Sequence, residues 1–117
     1  MAEAEQAAHE TEPWATDSHN LGGWASNQAV LDHLVFLTQG ERLTSVVHNP
    51  DERGVGRLAT LEVLLVQSAS SLWMGGDEKD YNVCVRFEVR RASSGPREIT
   101  PETIDCPPGV PAAPTPR

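Results

Sequence analysis

Between residues 81 and 91 apolar and polar side chains alternate without a break, Tyr81, Val83, Val85, Phe87 and Val89 against Asn82, Cys84, Arg86, Glu88 and Arg90. A period of two is the pattern of a β-strand with one dry and one wet face. Alone, such a strand leaves its backbone groups unpaired and its apolar side bare, so the chain must supply both a partner and a cover. Residues 58–67, LATLEVLLVQ, are the expected partner. Ala59, Leu61, Val63 and Leu65 line one strand face, and antiparallel pairing would set Glu62 among Arg86 and Arg90 on the wet side. The cover is NQAVLDHLVFLTQ. Ser26 or Asn27 suits the N-cap, Gly40 the C′ position, and Val30, Leu34 and Leu37 share a face with Leu31 and Val35 beside them.

Residues 42–48 alternate as a short strand, and NPDERGVG after them is a loop. The connection over 68–80 is long for a hairpin and carries Trp73 and Met74 before two glycines, on the kind of loop where contact residues concentrate. Past residue 91, ASSGP is a turn from which EITPETIDC returns antiparallel. A turn centred on Gly95 places Cys84 opposite Cys106, near enough to be bridged. In that register Glu88 faces Glu102 and Ile104 lies on the wet side, while Pro101 confines the segment to an edge or a bulge.

The expected fold is therefore α+β: one helix packed on a small, mainly antiparallel sheet, flanked by disordered tails. Residues 1–23 read as an acidic disordered leader, 24–107 as the compact domain and 108–117 as a Pro-rich disordered tail. Trp14 stands out in the leader as an anchor for a partner or for the domain's own surface.

Charge and cysteine content narrow the function. The net charge is −8, and residues 1–20 hold five carboxylates and no Lys or Arg, which leaves the remainder nearly balanced. Nucleic-acid binding is not expected without a concentrated basic surface. The 2 cysteines allow one bridge and no metal or redox motif. Bridging places the chain outside the cytoplasm, as the exported part of a disulfide-stapled protein; free thiols place it inside. No apolar run approaches the roughly 18 residues of a membrane span.

Four constellations carry possible chemistry. Ser45, His48 and Asp51 have the residue types of a hydrolase, although a triad also requires the base within reach of nucleophile and acid. Asp32, His33 and His48 lack the spacing of a metal site, and no metal or cofactor is expected. The segment 53–57, RGVGR, resembles a phosphate-cradling turn without the length or ending of a P-loop, and reads as a turn between strands. Arg86, Arg90, Arg91 and Arg97 form the one basic patch, suited to an acidic peptide or to pairing with Glu62, Glu88 and Glu98. The expectation is a non-catalytic binding or accessory module using Trp73, Met74, Arg86 and Arg90 toward a protein or peptide partner. The alternative is a small hydrolase using His48 with Asp51 or Ser45. Oligomeric state is left open.

Overall fold

The structure, a computed structural model, describes the backbone of residues 2–16, 24–70 and 78–106, and side chains over 3–16, 24–65 and 82–106. Two helices precede four strands: α1 (Ala2–Thr16), α2 (Asn27–Thr38), β1 (Glu41–Val47), β2 (Gly56–Ser70), β3 (Glu78–Arg91) and β4 (Glu98–Ile104). The strands form an antiparallel meander in the order β1-β2-β3-β4. Both helices cover one face of it, so the α+β class holds, with two helices where one was expected.

The additional helix, α1, lies within the span 1–23 read as a disordered leader. Its buried residues are Ala4, Ala7, Ala8, Thr11 and Ala15, spaced at helical period on one stripe. Alanine is the best helix former but contributes little hydrophobicity, so the stripe escapes a search for an apolar face. Its small side chains let α1 lie close against α2 and β4. Glu3 and Glu5 in the first turn complement the positive end of the helix.

Ser26 caps α2, its Oγ accepting the Ala29 N–H at 3.1 Å. At the other end the left-handed residue is Gln39 (φ 54°), not Gly40, and its N–H donates to the Val35 carbonyl at 2.8 Å. Gly40 is needed for a different reason. A Cβ there would sit 2.6 Å from Leu65 Cδ2 and 3.2 Å from the Leu64 carbonyl oxygen, so the chain can pass this close to the sheet only without a side chain.

The core lies between helices and sheet. Val30, Leu31 and Leu34 of α2 and the α1 alanines meet Ala59, Leu61, Val63 and Leu65 of β2, Val85, Phe87 and Val89 of β3, and Ile99 of β4. The alternation over 81–91 is thus realised, with Val85, Phe87 and Val89 fully buried and Arg90 exposed. Cys84 is also buried, on the other side of the sheet. Register shifts at Leu43 and Leu58 mark bulges. The second explains how the consecutive Leu58 and Ala59 are both 0% exposed, since a bulge turns two adjacent side chains to the same side.

Strands β2 and β3 pair from Gly56↔Arg91 to Ser70↔Glu78. This is longer than the expected 58–67 with 81–91, so the connection shortens to 71–77, and Trp73 and Met74 lie outside the described residues. So does the tail over 108–117. The β3–β4 register is offset by two from the expected one: Cys84 stands opposite Ile104, Arg86 opposite Glu102, and Phe87 opposite Pro101. The like-charge Glu88/Glu102 pair is avoided in this register. Pro101 does occupy an edge strand, where its missing N–H disrupts no interior ladder.

Candidate functional site

The first distinctive feature is the length of the β2–β3 ribbon. Its pairing with β1 ends at Leu64 and with β4 at Cys84, yet β2 and β3 continue together through Leu65↔Val83, Val66↔Asn82, Gln67↔Tyr81, Ser68↔Asp80, Ala69↔Lys79 and Ser70↔Glu78. Those residues pair with no third strand among the described residues. At about 3.3 Å per residue this two-stranded extension is roughly 20 Å long, and it leads directly to the segment that contains Trp73 and Met74.

The face of the sheet away from the two helices carries Arg86 and Arg90. Arg86 grips Glu62 twice, Nε to Oε2 at 3.0 Å and Nη2 to Oε2 at 2.9 Å, which is the cross-strand partner expected of it. Arg90 pairs with Glu88 of its own strand, to which Arg57 also approaches at 3.9 Å. The hydrogen bond from Arg90 holds the Glu88 carboxyl below the ordinary value despite some desolvation. Beside them Cys84 and Cys106 are joined, Cα–Cα 5.2 Å. Cys106 lies past the end of β4 and reaches back to the buried Cys84, which is why the bridge closes although the two are not register partners.

Ser45, His48 and Asp51 are not brought together. Ser45 stands opposite Leu61 on the helix side of β1, its Oγ buried and without a hydrogen-bond partner among the described residues. His48 shares its 2.8 Å contact with Thr60 Oγ1, and the Asp51 carboxylate accepts the Arg53 N–H at 2.9 Å. No group of three His, Cys, Asp or Glu residues able to hold a metal occurs among the described residues. Asp32 instead binds Arg42 at 2.8 Å, which lowers its pKa. His33 lies parallel to Trp14, ring centroids 3.9 Å apart and planes 2° apart, so Trp14 docks on the protein's own second helix.

A second feature is a polar hub where the end of α1, the start of α2, the 49–53 loop and the β3–β4 turn meet. Arg97, 1% exposed, donates from Nη1 to Asn27 Oδ1 at 2.6 Å and from Nη2 to the Ala15 carbonyl at 3.1 Å; its Nε has no partner among the described residues. Asn27 in turn donates to the carbonyls of Asn49 (2.7 Å) and Asp51 (3.2 Å). Over this hub lies the half-buried Trp24, with the guanidinium carbons of Arg53, Arg91 and Arg97 at 4.5, 5.1 and 5.4 Å from its ring centroid. Along the chain these residues stand in three separate places: Trp24 just ahead of α2, Arg53 in RGVGR, and Arg91 with Arg97 in the basic patch. Their convergence is long-range, and no local spacing signals it.

Fold and sites together define a two-layer α+β domain with one sheet face that neither helix covers, an extended ribbon and a tryptophan-centred arginine cluster. Comparison with protein-family models, with curated proteins and with solved structures finds no match to this chain.

Proposed function

We propose that this chain is a non-catalytic binding or accessory module that engages a protein or peptide partner through the end of the β2–β3 ribbon. The supporting observation is the ribbon's continuation past the pairing limits of both neighbouring strands. Two strands alone are marginally stable in water, so such an extension gains order by contact with something else. Trp73 and Met74 at its end supply an aromatic anchor and an adaptable apolar side chain, and Arg86 and Arg90 on the face away from the helices add a polar margin. The Cys84–Cys106 bridge favours an oxidising compartment for this activity, as expected of an exported domain.

The test joins affinity to stability. Partner captured by cross-linking from the native source should be lost on the double replacement Trp73→Ser and Met74→Ser, with the melting temperature nearly unchanged, as expected when a substitution lies outside the core. A large fall in melting temperature would place both residues in the fold and remove the argument.

A further inference from the structure

The seven arginines among the described residues divide into two groups. Arg42, Arg57, Arg86 and Arg90 each have a carboxylate within ion-pair distance: Asp32, Glu88, Glu62 and Glu88. Arg53, Arg91 and Arg97 have none among the described residues and gather instead on the ring of Trp24. A chain of net charge −8 thus concentrates on a single indole three cations that have no ion-pair partner among the described residues. Burial pulls the Arg97 pKa below the usual arginine value; Glu52 opposes this, while the charges of Arg53 and Arg91 add to it. Like charges held this close are a standing cost that an arriving anion would relieve.

We propose that Arg53, Arg91 and Trp24 form a binding site for the carboxylates of a short acidic peptide segment, with the buried Arg97 adding its charge from beneath. This site is independent of the ribbon end. Arg53 is exposed, and its guanidinium makes no hydrogen bond among the described residues. Arg91 commits Nε to the Gly95 carbonyl and one N–H of Nη1 to the Arg53 carbonyl, both at 2.9 Å, which among the described residues leaves the second N–H of Nη1 and both of Nη2 to donate. The loop bearing Arg53 is already held in place. The Asp51 N–H donates to Asn49 Oδ1 at 3.0 Å, the Gly54 N–H to the Asp51 carbonyl at 3.0 Å, and Arg91 ties Arg53 to β3. Little ordering cost would therefore fall on binding.

Two guanidiniums around one ring, Arg53 exposed and Arg91 half-buried, suit separate carboxylates on a peptide better than a single phosphate. The protein's negative charge also disfavours a long polyanion. Near 0.15 M salt the Debye length is about 8 Å, so carboxylates of the protein farther off are screened while direct contacts persist.

The experiment is calorimetric titration of the full chain near 0.15 M salt with a blocked peptide bearing two glutamates, its glutamine analogue and inorganic phosphate as separate arms. The glutamate peptide should bind saturably and its glutamine analogue should not. Arg53→Gln and Arg91→Gln should each weaken binding by roughly tenfold or more, the scale of a charge-assisted hydrogen bond, whereas Arg57→Gln on the face away from the helices should leave it unchanged. Arg53→Gln removes no side-chain hydrogen bond to any of the described residues and so keeps the test valid if Arg91→Gln fails to fold. Equal binding of both peptides, no effect of Arg53→Gln, an equal loss from Arg57→Gln, or phosphate binding more tightly than the peptide would each overturn the assignment.

Discussion

Arg97 and His33 are both polar residues at the boundary of the core, and they are accommodated by opposite means. Arg97 stays charged because the Asn27 amide and the Ala15 carbonyl replace water around its guanidinium, at 2.6 and 3.1 Å. The Ala15 carbonyl, near the negative end of α1, also accepts the Ala25 N–H at 2.9 Å, so one acceptor joins three segments. His33 is instead shifted toward neutrality. Desolvation against Trp14 lowers its pKa from the ordinary 6.5, and the nearby Glu10 carboxylate opposes the shift in part. Because the folded pKa lies below the unfolded one, the unfolded chain binds more protons between the two values, and folding stability falls as pH drops below about 6.5. An NMR titration should place the His33 midpoint below that of an unstructured histidine, and His33→Phe should flatten the acid side of the stability–pH curve in that window. A midpoint at or above the ordinary value would mean that the Glu10 attraction dominates.

At the scale of elements, α1 depends on shape more than on hydrophobicity. Its stripe of Ala4, Ala7, Ala8, Thr11 and Ala15 brings the helix close enough for the Glu12 carboxylate to accept the Ile99 N–H at 2.7 Å. One outward N–H of the edge strand β4 is thereby satisfied, which limits edge-to-edge pairing on that side. Ala8→Leu should cost about 1–3 kcal/mol by overpacking, measured by denaturant unfolding, although leucine is nearly as good a helix former and more hydrophobic. A neutral or stabilising effect would show that α1 is not closely packed. The elements read from alternation and caps, α2 and strands β1 to β3, were legible because each turns branched or aromatic residues inward at its own period, fully buried in α2, β2 and β3 and half-buried in β1. α1 was not, since alanine satisfies the helical period without a hydropathy contrast.

For the whole molecule the disulfide matters most, because one edge of the sheet depends on it. β4 follows β3 through a six-residue turn over 92–97, and the bridge between residues 22 apart anchors its far end. On the chain-entropy model, closing a loop of this length restricts the unfolded chain by roughly 3 kcal/mol, a large share of the stability of a small domain. Denaturant unfolding with and without reductant should show a loss of that order, and the Cys84→Ala, Cys106→Ala double variant should match the reduced protein. A loss below about 0.5 kcal/mol would mean that β4 holds its place through α1 and β3 alone.

Taken by itself, the order of residues determined the strand over 81–91, its antiparallel partner, the α2 helix with its Ser26 cap, and the proximity of Cys84 to Cys106. Each follows from spacing along a single element or across one turn. Only the tertiary structure decided that α1 joins the fold, that β3 and β4 pair two residues out of the expected register, and that Trp24 gathers Arg53, Arg91 and Arg97. These outcomes depend on packing and hydrogen bonding between segments up to 87 residues apart, as with the Glu12 carboxylate and the Ile99 N–H, and such contacts leave no periodicity in the chain that makes them.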